Sequence, residues 1–279
     1  MSMCGHFLVL VGVIFILCSG DVIIRLSFCL ATPLHMAGKF HRVGEQLHRA
    51  LWRTPSTLEA MLLDVPGCQG LQYMSETQLN ELGLRNMGYN ERCLLIRHEY
   101  LSAFNDLTSI SSNADGSGGV VVTGQPGIGA TSLLFTITLT HISIELNQGK
   151  SCFIFYVLLR RLCDGLPTAL EQLGNVFLLF DDTGVQVYDA GPAGHFALEK
   201  GVWALTDSSA TDQQPCRAFY RSGQINAAWV VQATSPARGR WYEWQKELNA
   251  HYYVMDFYTW DELRALGFVF ITLTLYPLT

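Results

Sequence analysis

The feature that most constrains this chain is a phosphate-binding motif in two pieces. An apolar run, Gly118-Gly119-Val120-Val121-Val122-Thr123, leads into Gly124-Gln125-Pro126-Gly127-Ile128-Gly129. Twenty positions after Gly129 comes Gly149-Lys150-Ser151, and then Cys152 to Leu162, a segment of helical pattern. A phosphate loop needs strand, glycine turn, Lys-Ser and helix in one continuous run. Glycines let successive backbone N–H groups converge on the phosphates. The lysine neutralises the β- and γ-phosphates, the hydroxyl binds Mg²⁺, and the helix N-terminus adds its dipole. Read continuously, Gly129 is followed by Ala130-Thr131 and the lysine is missing. Removing Ala130 to Gly149 yields G-x4-G-K-S entering a helix, so the candidate nucleotide-binding residues are Gly124 to Gly129 together with Gly149, Lys150 and Ser151.

The intervening Ala130 to Gln148 is rich in β-branched and apolar residues, a strand-like composition. Phe268 to Thr279 has the same texture. Both read as translated non-coding sequence, a retained intron and a read-through end. The alternative is a true insertion or an inactivated copy.

Beyond the motif the chain alternates apolar runs with helical patterns. Asn175 to Asp182 is an apolar strand ending in two carboxylates, and Thr183-Gly184 turns it into Val185 to Tyr188. Gly201 to Asp207 and Ala227 to Pro236 are further strands, Tyr242 to Leu248 a helix, Tyr252 to Met255 a strand, and Thr259 caps a last helix. This rhythm predicts an α/β domain with a mostly parallel sheet covered by helices on both faces. Ligands bind at the carboxyl ends of such strands. There the sequence offers Asp207, with Asp181 as its competitor, as Mg²⁺ ligand beside Ser151, and Thr234 and Ser235 as γ-phosphate contacts. Hydrolases of this kind often carry a glutamate directly after the metal-organising aspartate. Here that residue is Ser208, so the catalytic base is unassigned.

Residues 36–108 read as a helical N-terminal region and 109–118 as a linker, ahead of a domain spanning 119–279. Within the helical region Thr54-Pro55 starts one helix, running past Leu62 to Val65. Ser75 to Gln78 forms a capping box, and Asn90 caps a helix carrying Cys93, Leu94, Ile96, Tyr100, Leu101 and Phe104. His48 and His98 read as surface or core-edge residues. Residues 1–35 form an apolar leader, either a signal peptide or anchor or a mis-assigned start ahead of Met36. The chain is accordingly secreted or membrane-anchored if the leader is real, with membrane contact only through residues 7–30, and cytoplasmic otherwise. A net charge of −6, with four lysines, gives no footprint for a nucleic-acid backbone. The eight cysteines have no zinc-ligand spacing and read as buried free thiols.

Taken together, GVVVTGQPGIG…GKSCFIFYVLLRRLCDGLPTAL, FLLFDDTGVQVYD, GVWALTDSS, WVVQATSPARGRWYEWQKEL and MDFYTWDEL resemble the Crinkler-like and retrotransposon-hot-spot-like P-loop proteins of fungi and related eukaryotes, over roughly Trp52 to Leu266. The resemblance implies an ATPase-type module of the additional-strand P-loop class, with ATP and Mg²⁺ as cofactors. It also implies roles as secreted effectors or in conflict between genetic elements. The departures are the split loop, no arginine sensor after Glu262 and no nuclease domain. The rival expectation is a non-enzymatic interaction protein, or an inactive gene fragment, that keeps the fold. The cluster Trp241-Tyr242-Trp244 reads as packing.

Overall fold

The computed structural model describes residues 17–18, 21–22, 33–114, 118–124, 149–173, 176–190, 198–208, 214–220 and 228–275. Gln125 to Gly129, Ala130 to Gln148 and most of the apolar leader lie outside the described residues. The chain divides into residues 1–39 and 40–279. In the first unit β1 (Leu17–Cys18) pairs antiparallel with β2 (Asp21–Val22). Helix α1 spans Pro33–Leu51 and brings Phe40, Val43, Leu47 and Leu51 into the core of the larger unit.

The larger unit continues with α2 (Pro55–Met61), β3 (Leu63–Asp64), β4 (Gln72–Met74), α3 (Glu76–Glu81), β5 (Leu94–Ile96) and α4 (His98–Asn113). Then follow β6 (Gly118–Gly124), α5 (Lys150–Cys163), β7 (Thr168–Leu173), β8 (Val176–Asp181), β9 (Gly184–Asp189) and β10 (Trp203–Asp207). Last come α6 (Arg217–Tyr220), β11 (Trp229–Ala233), α7 (Tyr242–Leu248), β12 (His251–Met255) and α8 (Trp260–Leu275).

Seven strands form one sheet in the order β12-β6-β11-β10-β7-β8-β9. The four pairings from β12 to β7 are parallel and the two that attach β8 and β9 are antiparallel. Side chains alternate between faces. Trp203 packs against Phe104 of α4 and lies under the Arg161 guanidinium of α5 at 4.4 Å. On the opposite face Val121, Ala204 and Val230 pack with Phe219 of α6 and Trp244 of α7. Helices therefore cover both faces, and the central strands read apolar throughout because both of their sides are buried. Gly119 is required by this packing. A Cβ there would lie 2.5 Å from the Val230 carbonyl oxygen and 3.0 Å from the Trp244 ring.

The N-terminal region departs from the expected all-helical reading. It contains a three-stranded antiparallel sheet, β3-β4-β5, flanked by helices. Helix α2 stops at Met61, and Thr54 makes no side-chain cap, its hydroxyl donating instead to the Ala50 carbonyl at 3.0 Å. Cys93 to Ile96, expected on a helix capped by Asn90, are buried in and beside β5, and the helix starts at His98. A short run of consecutive apolar residues has no period that separates strand from helix. The capping box is present: Ser75 N–H donates to Gln78 Oε1 at 2.7 Å, and Ser75 Oγ accepts from Gln78 N–H at 3.5 Å. Helix α4 runs to Asn113, into the segment expected as a linker.

Helix α8 closes over this small sheet. Ala265, Leu266 and Val269 pack with Val65, Leu71, Cys93 and Leu95. Val269 belongs to the segment set apart as a read-through end, yet it is core. Thr259 caps the helix as expected, accepting from Glu262 N–H at 3.2 Å. The wholly buried Glu262 carboxylate pairs with the equally buried Arg97 at 3.3 Å. Arg97 also donates to the carbonyls of Asp256 and Phe257 and stacks on Tyr258 at 4.0 Å. Among the described residues no helix is long and apolar enough to cross a membrane.

Candidate functional site

Strand β6 ends at Gly124 and helix α5 begins at Lys150, with Gly149 as its N-cap residue. The Gly149 carbonyl accepts the Tyr100 hydroxyl at 2.8 Å, so α4 fixes the point where α5 starts. One turn into the helix, the buried Cys152 thiol meets the Tyr89 hydroxyl at 3.6 Å. Burial pushes that thiol up to about 12, which keeps it a neutral packing group. No acidic residue occupies the first turn of α5. Its amide N–H groups and dipole present a positive end, and the carboxylate that meets it comes from Asp207 at the end of β10.

Lys150 and Ser151 meet Asp207 at this point. Asp207 ends β10, two strands from β6 across β11. Its carboxylate accepts a hydrogen bond from the Ser151 side chain and feels the Lys150 charge. Desolvation raises the Asp207 pKa, against the opposing pull of Ser151 and Lys150. Desolvation also lowers the Lys150 pKa, which Asp207 in turn raises. A hydroxyl and a carboxylate are hard oxygen donors that suit Mg²⁺, and an ammonium beside a helix N-terminus suits phosphate.

Thr234 follows β11 directly and is 2% exposed. Its backbone N–H donates to the Val122 carbonyl at 3.0 Å, while its hydroxyl is buried with no hydrogen-bond partner among the described residues. The Thr123 hydroxyl on β6 is in the same position. Such orphaned groups cost about 1–3 kcal/mol each, which a ligand bearing hydrogen-bonding oxygens would offset. Ser235 is half-buried beside Thr234. Gly124, Gly149, Lys150, Ser151, Asp207, Thr234 and Ser235 all lie at the carboxyl edge of the parallel strands or at the helix start facing it. Gln125, Pro126, Gly127, Ile128 and Gly129 fall outside the described residues.

Asp181 is not brought to this centre. Strand β8 runs antiparallel to β7, and Phe180 pairs with Thr168, which itself pairs with Trp203 at the start of β10. Asp181 therefore sits at the opposite edge from Asp207. There its carboxylate accepts Thr183 N–H at 2.7 Å, holding the hairpin turn, and its carbonyl meets His48 Nε2 at 2.9 Å. Asp182 pairs with Arg53 at 2.7 Å. The sequence placed these aspartates at the carboxyl edge because an apolar strand does not reveal its own direction.

Sequence reasoning missed a buried polar network beside the centre. Gln232, in the middle of β11, is wholly buried and joins Ser208, Arg240 and Trp244. The available signal was one glutamine inside an otherwise apolar strand, Trp229 to Ala233. Of the aromatic cluster, Trp244 is in the core and Trp241 lies edge-on to Tyr252 at 4.7 Å, as expected of packing residues, whereas Tyr242 is exposed, with the Arg238 guanidinium over its ring at 3.9 Å. Five described cysteines, at positions 68, 93, 152, 163 and 216, are free and buried. Among the described residues no group of three or more His, Cys, Asp or Glu side chains could hold a metal. Comparison with protein-family models, with curated proteins and with solved structures finds no match.

Proposed function

We propose that this chain binds ATP–Mg²⁺ as a P-loop NTPase-like protein of the Crinkler-like type. The observation that carries this reading is the meeting of Lys150, Ser151 and Asp207 at the N-terminus of α5. Lys150 neutralises the β- and γ-phosphates, Ser151 and Asp207 hold the metal, and the amides around Gly124 to Gly129 cradle the phosphate chain. The strand order supports the additional-strand class, because β11 stands between the strand before the glycine turn and the strand bearing the aspartate. The buried, orphaned Thr234 hydroxyl supports a phosphate contact at that strand's end. Hydrolysis in such a site is in-line attack of water on the γ-phosphate, driven by positioning and charge neutralisation.

A second reading, a binding protein with little turnover, is favoured by Ser208. It follows Asp207 where a carboxylate would otherwise orient water, and a serine hydroxyl is a poor general base at neutral pH. One titration tests the common part of both readings. ATP–Mg²⁺ at a hundred times Kd adds about 2.7 kcal/mol of stability. Lys150→Ala removes that gain. No thermal shift at millimolar ATP refutes nucleotide binding, and phosphate release then separates the hydrolase from the binding protein.

A further inference from the structure

Helices α2, α4 and α5 and the small antiparallel sheet enclose a cavity of about 190 Å³. Leu58 of α2, Leu62, Ile96 of β5 and Leu159 of α5 form its apolar wall, and the exposed Leu101 of α4 stands at its mouth. Two polar side chains, Tyr156 and Arg160, complete the wall from one face of α5, being four residues apart. They lie about 9 Å and about 15 Å along the helix from Lys150, so this is a different place from the centre at the start of α5.

Both side chains bring a donor with nothing to receive it. Tyr156 is 3% exposed, and its hydroxyl is buried with no hydrogen-bond partner among the described residues. Arg160 Nε is buried and equally unpartnered. The Tyr156 ring cannot carry its hydroxyl elsewhere, because it packs against Tyr100 at 5.9 Å and edge-on to Phe104 at 6.2 Å. Burial pushes the phenol up to about 12 against the opposing pull of the nearby Arg160 charge, so it remains a proton donor at neutral pH. Two carboxylates stand close by, Glu59 in the lining and Asp164 just past the end of α5. Both are exposed, and neither satisfies Nε. Gln72, also in the lining, already donates to Asp64 at 3.0 Å.

The chemistry of a fitting ligand follows from these groups. It accepts two hydrogen bonds and brings a negative charge to the guanidinium, while its body suits leucine and isoleucine. Water accepts the bonds but finds no partners along the apolar wall. Phosphate carries too much charge to be buried against that wall. A planar carboxylate matches the fork of an arginine. A cavity of about 150 Å³ with an aliphatic and aromatic lining takes benzene, which sets the size of the body. We propose that this cavity binds a small monocarboxylic acid, its carboxylate received by Arg160 and the Tyr156 hydroxyl and its apolar body seated against Leu58, Leu62, Ile96 and Leu159. The site is independent of the nucleotide reading.

Benzoate is the probe, titrated into the full chain by calorimetry, with benzamide as its neutral isostere and inorganic phosphate as the bare anion. Benzoate binds one to one. Benzamide binds about tenfold more weakly, because hydrogen bonds to an ionised acceptor are about twice as strong. Phosphate does not displace benzoate. Arg160→Gln and Tyr156→Phe each weaken benzoate about tenfold. Without ligand, Tyr156→Phe melts no lower than wild type, since the hydroxyl it removes has no partner, and this excludes misfolding as the cause. Lys150→Ala binds benzoate as wild type does, which separates this site from the start of α5. No binding at millimolar benzoate, equal affinity for benzamide, displacement by phosphate or unchanged affinity in Arg160→Gln overturns the proposal. A lower melting temperature in Tyr156→Phe does so too, because the hydroxyl then has a partner in the ligand-free chain. Loss of benzoate binding in Lys150→Ala also overturns it, by moving the ligand to the start of α5.

Discussion

At the scale of single residues the site is built against the stability of the ligand-free chain. Asp207 opens to solvent at its strand end, yet surrounding protein crowds it enough to hold its pKa above the ordinary 3.8. A carboxyl with a raised folded-state pKa contributes stability that is whole below the unfolded value. That stability is lost as pH rises through the folded value. At neutral pH the charged Asp207 is therefore a cost. Asp207→Asn is expected to raise the melting temperature of the ligand-free protein at pH 7. The gap should close below about pH 4, where both states of the wild type are protonated. The same variant loses Mg²⁺-dependent stabilisation by ATP. A lower melting temperature at pH 7 would contradict the assignment. The Arg97–Glu262 pair obeys the opposite logic, because each charge is sealed in by the other. Glu262→Gln or Arg97→Leu leaves a buried charge without its counterpart and costs about 3–5 kcal/mol in urea unfolding. Replacing both by leucine recovers part of that loss, because no charge then remains buried.

At the scale of elements, β6 shows how tightly the sheet is packed next to the site. Gly119→Ala brings a methyl group onto the Val230 carbonyl and the Trp244 ring, and neither can retreat. The expected cost is about 1–3 kcal/mol, read by chemical denaturation. A neutral result would mean that β6 and β11 can slide apart. The same sheet marks what local sequence can and cannot reveal. Strands β6, β10 and β11 were legible because fully buried parallel strands are apolar runs between turn signals, β12 because Tyr252 to Met255 is a β-prone run although it forms an exposed sheet edge, and α7 because it is an ordinary short helix. Strand β7 was not, since Thr168 to Leu173 mixes Thr, Glu and Gln with apolar residues. The direction of β8 was not either, and this misplaced Asp181. Strand β5 was absorbed into a neighbouring helix because Leu94-Leu95-Ile96 carries no period. Lys150, Ser151, Asp207 and Thr234 were legible because each closes or opens an element whose pattern is strong. Gln232 and Ser208 needed the strand register that places them side by side.

At the scale of the whole molecule, the parts of the site are held by elements distant in sequence. Tyr100 of α4 fixes the start of α5, β11 spaces β6 from β10, and α8 ties the N-terminal sheet to the C-terminal segment. The contacts just named are made by residues other than 130–148. A chain lacking Ala130 to Gly149 leaves five residues, Gln125 to Gly129, between Gly124 and Lys150. Gly129 would then precede Lys150, take the N-cap position now held by Gly149, and offer its carbonyl to the Tyr100 hydroxyl. Shortening the connection from twenty-five residues (125–149) to five lowers the entropic cost of closing it by about 1.4 kcal/mol. The shortened chain is therefore expected to melt at or above the temperature of the full chain. It is expected to bind ATP–Mg²⁺ at least tenfold more tightly, because the amides of Gly127 to Gly129 then run directly into α5. Lys150→Ala in the shortened chain abolishes that gain. Tyr100→Phe weakens it, because the hydroxyl that sets the start of α5 is gone. Equal ATP affinity in the long and short chains would show that the nucleotide does not depend on continuity between the glycine turn and Lys150, and would remove the joined motif as the source of binding.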